Sequence, residues 1–309
     1  MSRTASVTAE NKSYAYFIAG VVICLLGAVC FSTKAIFVKL AYRETTVDAV
    51  TLLALRMLFS LPFFVVSAWW SSSKATNVRF TSKQWLAVAA IGCLGYYVSS
   101  LLDFIGLKYV SAGIERLILF IYPTLVLLMS AVIFKVKIKR PQWAALAITY
   151  LGLLVAFWGE ANFENQSRTF YLGAAYIFIC AVTYAMYIVG SGKLIPLVGA
   201  AKFNSYAMSF AAIAVVLHFF VSNDNSLFNL ENEVYVYSLL MAIIGTVIPS
   251  YLVAFGINRV GSGNAAIIGS IGPVSTIVQA YFFLQEPIHL LQLLGTALIL
   301  AGILIIGKK

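Results

Sequence analysis

Stretches of about twenty consecutive apolar residues recur along the whole chain, and they constrain its fold more than any other feature. They run at 17–40, 47–70, 84–107, 112–134, 142–158, 171–194, 203–221, 234–257, 263–284 and 290–307. An α-helix needs about 20 mostly apolar residues to cross the hydrocarbon core of a bilayer. The sequence therefore predicts an all-α membrane protein with ten transmembrane helices.

Composition agrees with a membrane protein and argues against other classes. The chain is 61% hydrophobic and 10% charged, whereas a soluble domain is about 45 to 50% apolar and about 25% charged. Its net charge of +10 is not gathered on one soluble face and comes with no zinc-finger or RNA-binding signature, so we expect no nucleic-acid partner. The four cysteines lie in apolar stretches without a C-x-x-C pair, which predicts neither disulfides nor a metal site. The cysteines are Cys24, Cys30, Cys93 and Cys180.

Basic residues fall mainly on one side of the predicted membrane. With the N-terminus inside, the inner segments carry 14 Lys and Arg residues and the outer segments carry four. Cytoplasmic loops are enriched in Lys and Arg. We therefore expect both termini to be cytoplasmic, in an integral protein of a bacterial inner membrane.

The second half of the sequence repeats part of the first. Shifted by 150 residues, the third to fifth predicted helices align Gly, Ser, Pro and Gln residues with identical residues in the eighth to tenth. The matched pairs are Gly95 and Gly245, Ser100 and Ser250, Gly106 and Gly256, Gly113 and Gly263, Pro123 and Pro273, Gln142 and Gln292, and Gly152 and Gly302. Because an odd number of helices separates the copies, the second copy crosses the membrane in the opposite sense. Inverted repeats are typical of secondary transporters, and we predict five-helix repeats at 1–160 and 161–309 around a central cavity, within one membrane domain.

The sequence resembles the drug/metabolite transporter superfamily and, within it, the EamA-type exporters with ten helices in two five-helix repeats. The resemblance covers nearly the whole chain and rests on FSTKAIFVKLAY, LLALRMLFSLPFF, SAGIERLILFIYPTL and GPVSTIVQAYFFLQEPIHLLQLLGTALILAG. It implies export of small metabolites. The first copy departs from the closing pattern, because Val136 and Lys137 stand where Glu286 and Pro287 stand in the second. This difference indicates that Glu286 is a loop feature rather than part of a symmetric site.

Five charged residues lie well inside predicted helices, away from the helix ends, and all five are in the outer half of the membrane. At about 1.5 Å per residue, Lys34 and Asp103 lie about 9 to 10 Å deep, Glu115 and Arg116 about 7 to 9 Å, and Arg56 about 13 Å. A charge within a span costs about 2.5 to 3.5 kcal/mol on insertion scales, so such residues pair or line water. Neighbours on a helix point about 100° apart. The candidate partners are Arg56 or Lys34 for Glu115 and Asp103 for Arg116, and the sequence leaves the choice among these pairings open.

Three cations against two anions leave this layer with an excess positive charge, which suits a carboxylate or phosphate on a substrate. The alternative is a set of structural ion pairs, with Lys34 and Arg116 reaching toward the headgroups. In the second repeat, Val253, Ala265 and Ala266 stand at the positions of the three charged residues of the third and fourth helices. Fold symmetry therefore does not require the charges, which favours a role in substrate binding.

Two prolines interrupt the predicted fourth and ninth helices near mid-membrane. Pro123 and Pro273 each remove a backbone hydrogen bond and crowd the carbonyl group four residues earlier. Such a kink can gate a cavity or be a fixed bend. Gly269 and Gly272 accompany Pro273, so we expect the ninth helix to be the more mobile.

Further polar groups are weaker candidates for the cavity wall. Tyrosine can also anchor a helix at the interface or pack in the core, and a single Gln279 within an apolar helix more often makes an interhelical hydrogen bond. The candidate tyrosines are Tyr97, Tyr122, Tyr184, Tyr187 and Tyr251.

The sequence contains no H-E-x-x-H, G-x-S-x-G or P-loop motif, so it predicts neither an enzyme nor a cofactor. We expect a secondary transporter that exports small metabolites by alternating access, amino acids or related carboxylated and amphiphilic compounds being the first choice. The alternatives are a channel-like facilitator and a drug or nucleotide-sugar exchanger. The expected partners are the small-molecule substrate, the lipid bilayer and, as a candidate coupling ion, a proton on Asp103 or Glu115. The protein is expected to be a monomer or a dimer.

Overall fold

The computed structural model describes residues 2–73, 78–135, 137–156, 158, 168–222, 227–285 and 288–307, with side chains described from residue 14 onward except at 113, 306 and 307. All regular elements in these ranges are helices. The α-helices are α1 (Ser2–Glu44), α2 (Ala49–Ser73), α3 (Ser82–Gly92), α4 (Ser99–Gly106), α5 (Ala112–Leu119), α6 (Tyr122–Phe134), α7 (Arg140–Ala156), α8 (Arg168–Val198), α9 (Ala200–Ser222), α10 (Asn232–Ala242), α11 (Ile248–Val260), α12 (Ser262–Ile268), α13 (Ile271–Leu284) and α14 (Leu290–Gly307). Cys93–Val98 and Ile243–Val247 are π-helical.

The apolar stretches of the sequence are helical wherever the structure describes them. Eight helical spans in the described residues are long and apolar enough to cross a membrane, and a shorter apolar helix covers Leu290–Ile305. The helix α7 has 17 residues. The all-helical membrane character predicted from the sequence is therefore confirmed, and eight spans meet the length criterion where ten were expected.

Polar side chains at the helix ends replace the hydrogen bonds that the first turns lack. Thr81 and Gln84 form a capping box at the start of α3, and Ser111 accepts a 3.1 Å hydrogen bond from the Ile114 backbone N–H at the start of α5. Two other helices, α6 and α13, are followed at their C-terminal ends by Lys135 and Gln285, which both adopt left-handed backbone conformations. The predicted loop residues Glu286 and Pro287, like Val136, lie outside the described residues.

The prolines interrupt their helices as the sequence predicts. Phe120 and Ile121 separate α5 from α6, and Gly269 and Ser270 separate α12 from α13. Because a proline nitrogen carries no hydrogen, Pro273 cannot bond to the Gly269 carbonyl. That carbonyl instead accepts a 2.9 Å hydrogen bond from the Gly272 N–H. The role of these breaks as gates stays a prediction.

Local features recur at a spacing of 150 residues. The π-helical segments begin at Cys93 and Ile243. Gln142 accepts a hydrogen bond from the Lys139 N–H, and Gln292 accepts one from the His289 N–H, both at 2.9 Å. The similarity of the two halves thus extends from residue identity to backbone conformation.

Glycines bring α7 and α14 into close contact. A Cβ atom at Gly152 would lie 2.7 Å from the carbonyl oxygen of Gly295, and one at Gly302 would lie 2.9 Å from that of Ala145. The contact moves toward the start of α7 as it moves toward the end of α14, so the two helices are antiparallel. Small residues let helix backbones approach in this way.

The first helix of each half packs on helices of the other half. In the N-terminal half (α1–α7) and the C-terminal half (α8–α14), α1 lies on α11 and α13, while α8 lies on α4 and α6. The helices α2 and α9 pack against each other. The predicted boundary at 160/161 lies outside the described residues. This packing leaves a cavity where α1, α4, α5, α8, α12 and α13 meet.

Candidate functional site

A cavity lined by residues of both halves lies between the two halves of the protein. Its wall combines an aromatic surface, two cationic side chains, and small residues that leave room for a solute. The aromatic residues are Phe31, Tyr96, Phe120, Tyr122 and Tyr184; the cations are Lys34 and Arg116; the small residues include Ala28, Gly95, Ala265, Ala266, Gly269 and Gly272. An apolar wall with a few polar groups is typical of small-molecule sites.

The charged layer predicted from the sequence is buried beside this cavity. Asp103 and Glu115 are 0% exposed, while Lys34 and Arg116 are 6% and 7% exposed. Lys34 Nζ lies 2.7 Å from Asp103 Oδ2, and Arg116 Nε lies 3.0 Å from Glu115 Oε2. Lys34 and Arg116 line the cavity, and their carboxylate partners lie behind them.

None of the candidate pairings that the sequence left open is the one the structure shows. Glu115 pairs with neither Arg56 nor Lys34, and Arg116 pairs with its sequence neighbour rather than with Asp103. Neighbouring Cβ atoms do diverge on a helix, but an arginine side chain is long enough to fold back toward the preceding residue. This geometry joins α1 to α4 through one ion pair and keeps the other within α5.

Arg56 in α2 is buried behind the same layer and does not line the cavity. Its side chain is 1% exposed, and its guanidinium carbon lies 5.0 Å from the centre of the Phe104 ring. Its Nε and Nη2 atoms have no hydrogen-bond partner among the described residues. Asp103 lies within electrostatic range. The excess positive charge of the layer is therefore held at Arg56, next to the pair formed by Lys34 and Asp103.

The predicted tyrosines occupy different places. Tyr122 and Tyr184 line the cavity with ring centres 5.2 Å apart. Tyr187 lies behind them, stacked on Tyr184 at 5.9 Å. Tyr97 points elsewhere, with its ring 5.6 Å from that of His218, and Tyr251 hydrogen-bonds with the Ser205 hydroxyl at 2.8 Å.

Gln279 does not line the cavity either. Its Nε2 atom donates a 2.7 Å hydrogen bond to Ser275 Oγ and a 3.4 Å hydrogen bond to the Val29 carbonyl. It therefore links α13 to α1, as expected for a single polar group within an apolar helix.

The two proline breaks differ in their relation to the cavity. Gly269, Gly272 and Pro273 form part of its wall, whereas Pro123 does not. Tyr122, next to Pro123, donates a 3.2 Å hydrogen bond to the carbonyl of Ala266 in α12. The two breaks are thus connected across the cavity by one side chain.

Several wall residues were not predicted from the sequence. Tyr96, Ser99, Ser100 and Cys180 line the cavity, and Phe31 packs over Tyr96 with ring centres 6.2 Å apart. The sequence did contain a signal for part of this wall. In an otherwise apolar stretch, the polar residues Tyr96, Ser99, Ser100 and Asp103 have the spacing of one helix face.

Known proteins resemble this chain over most of its length. The model of the EamA-like transporter family matches residues 18–158 and again residues 171–308. The uncharacterized transporter YcbK of Bacillus subtilis (strain 168) is 33% identical over 286 residues, 90% of this chain and 89% of that protein. The uncharacterized inner membrane transporter YicL of Salmonella typhimurium is 20% identical over 93% of this chain and 95% of its own length. One solved crystal structure, 17% identical, superposes with a TM-score of 0.72 over 93% of this chain and 97% of that chain.

Proposed function

Because the chain belongs to the EamA-like transporter family, we propose that it is a secondary transporter that exports small metabolites through the central cavity by alternating access. The preferred substrates are amino acids or related carboxylated and amphiphilic compounds. The activity is transport without covalent chemistry.

The proposed architecture is ten transmembrane helices in two inverted five-helix repeats, with α7 and α14 as the last helix of each repeat. Three findings support it. The family model matches the chain twice, the π-helical segments recur at a spacing of 150 residues, and the glycine contacts make α7 antiparallel to α14. In transporters built this way, substrates bind near the interface of the repeats.

The observation that carries the substrate class is the pair of cationic side chains on an otherwise aromatic and small-residue wall. Lys34 and Arg116 offer N–H donors to a carboxylate, and Tyr122 and Tyr184 offer apolar ring surface to the rest of the solute. A charged residue in a membrane span generally marks a substrate or ion pathway. We assign Lys34 and Arg116 to binding of an anionic group, with Arg56 as a positioning residue and Gly269, Gly272 and Pro273 at a gate.

The proposed location is the inner membrane of a bacterium with both termini in the cytoplasm, which the distribution of Lys and Arg supports. The cavity lies within one chain. A monomer is therefore sufficient for the proposed function, and the proposal sets no requirement for a dimer.

Counterflow in proteoliposomes tests this function. Vesicles containing the purified protein are loaded with one unlabelled L-amino acid or organic acid, and entry of the same labelled compound is followed from outside. A carrier gives saturable, transient accumulation. Lys34→Met should abolish it, whereas Lys83→Met, at an exposed position, should not.

Two results would contradict the proposal. Flux that rises linearly with concentration and shows no exchange indicates a channel-like facilitator. Counterflow only with drugs or nucleotide sugars, and with none of the carboxylated compounds, indicates an exchanger of another substrate class.

A further inference from the structure

The two buried carboxyl groups of the site lie close enough to interact directly. Asp103 in α4 and Glu115 in α5 lie within hydrogen-bonding range of one another. Among the carboxyl side chains that the structure describes, these two are the buried ones. Two ionised carboxylates offer only acceptors and repel each other, so their contact becomes favourable when one of them carries a proton.

The remaining oxygen atoms of the pair also indicate a missing donor. Asp103 Oδ1 and Glu115 Oε1 accept no hydrogen bond from the described residues, although both side chains are completely buried. A buried acceptor without a donor is costly. One proton held between the carboxyl groups supplies that donor without any additional space.

The surrounding groups limit how strongly the proton is held. Lys34 contacts Asp103, Arg116 contacts Glu115, and Arg56 lies nearby from α2. The phenol of Tyr42 in α1 lies within electrostatic range of Asp103, and the thiol of Cys180 in α8 lies within range of both carboxyl groups. Three neighbouring cations favour the ionised form of both carboxyl groups, while the contact between the groups favours one proton. The opposition of these effects makes the proton exchangeable.

The same cations connect the acidic pair to the cavity. Lys34 and Arg116 face the cavity on one side and their carboxylate partners on the other. An anionic group that binds to them from the cavity competes with Asp103 and Glu115 for positive charge. Binding of the anion therefore raises the affinity of the acidic pair for a proton, and by linkage the proton raises the affinity for the anion.

We propose that Asp103 and Glu115 form the proton-binding site of this transporter, where a single exchangeable proton is held and crosses the membrane together with an anionic solute, so that an outward gradient of the solute drives the export of both. The inference rests on the proposed transport function, because the coupling requires a transported solute. The presence of a proton on the acidic pair does not depend on transport, so it can be tested separately.

Infrared difference spectroscopy of the purified protein in lipid tests for the proton directly. A protonated carboxylic acid has a C=O stretching band that a carboxylate lacks. The wild-type protein should show one such band at neutral pH, which disappears in alkaline buffer and shifts to lower frequency in heavy water. Asp103→Asn and Glu115→Gln should each lose the band at neutral pH, because the remaining carboxyl group then ionises beside its own cation. Glu231→Gln, at an exposed position, should keep it.

The wild-type band alone decides the proposal where a variant does not fold. Absence of the band at neutral pH overturns it, and so does a band that neither titrates nor shifts in heavy water. A band that persists unchanged in both folded variants belongs to another group and also overturns it.

A pH gradient tests the coupling in wild-type proteoliposomes. An alkaline interior should drive accumulation of an amino acid or organic acid that shows counterflow, because proton and solute enter together. Accumulation that is the same with and without the pH gradient overturns the coupling. Absence of counterflow for every compound overturns the transport function and the coupling with it, while the infrared band still reports whether the acidic pair holds a proton.

Discussion

Replacing Lys34 by methionine removes the cation that both pairs with Asp103 and faces the cavity. The two roles have different consequences for a second substitution. If Lys34 only neutralises Asp103, then Lys34→Met combined with Asp103→Asn should restore both stability and counterflow, an exchange of solute that needs no net movement of protons. If Lys34 also binds the solute, the double variant should recover stability and remain inactive, and this is the outcome we expect.

The expected change in the free energy of unfolding follows from the geometry of the ion pair. At the 2.7 Å distance between Lys34 Nζ and Asp103 Oδ2, the Coulomb attraction is about 6 kcal/mol at an effective dielectric constant of about 20. Removing one partner of a buried pair typically costs about 3 to 5 kcal/mol, because the other charge is left uncompensated. In the double variant, a buried amide without ideal partners still costs about 1 to 3 kcal/mol. We therefore expect the double variant to be about 2 kcal/mol more stable than Lys34→Met.

The stability of each purified variant is measured by denaturation in detergent, and its transport by counterflow of the same labelled solute. Lys83→Met serves as the control for loss of a lysine at an exposed position. Counterflow restored in the double variant would show that Lys34 is only a counterion. A double variant no more stable than Lys34→Met would show that the two side chains do not interact as the structure places them.

Three further predictions concern packing and access. Gly295→Leu should destabilise the protein by at least about 1 to 3 kcal/mol, because a Cβ atom at this position would lie 2.5 Å from Ala156. The control Leu294→Ala, on an exposed side of the same helix, should change the denaturation midpoint much less. Tyr122→Phe removes the hydrogen bond to the carbonyl of α12 and should lower the free energy of unfolding by about 1 kcal/mol, which the same denaturation experiment measures. In a protein without its own cysteines, Ala28→Cys places a thiol at a partly exposed position on the cavity wall. A maleimide should then block counterflow, and saturating solute should slow the labelling; block without such protection would place Ala28 outside the solute pathway.

Helix positions could be predicted because apolarity and chain breaks are local properties. The predicted stretches at 47–70 and 203–221 correspond to α2 and α9 within a few residues. The interruption before Pro273 follows from the missing proline N–H, whatever the surroundings. The π-helical segments have no comparable residue signature and were not predicted from the sequence.

The site was predictable in part, for a related reason. Counting residues along a helix gives the depth of Lys34, Asp103 and Glu115, and the structure places all three in one buried layer. Depth does not give the rotation of a helix about its axis, which decides which neighbours a side chain meets. The sequence therefore suggested Arg56 as a cavity residue, whereas packing directs it toward Phe104, and it missed Tyr96 on the wall.

The sequence by itself determined that this chain forms apolar helices, that its two halves are related, and that a few charges lie within the membrane, because each of these properties depends on residues close together in the chain. Only the tertiary structure decided that Lys34 meets Asp103 across two helices and that Asp103 meets Glu115. Those contacts depend on how helices far apart in sequence rotate and approach one another. That packing is set by the whole set of side chains and glycines between them.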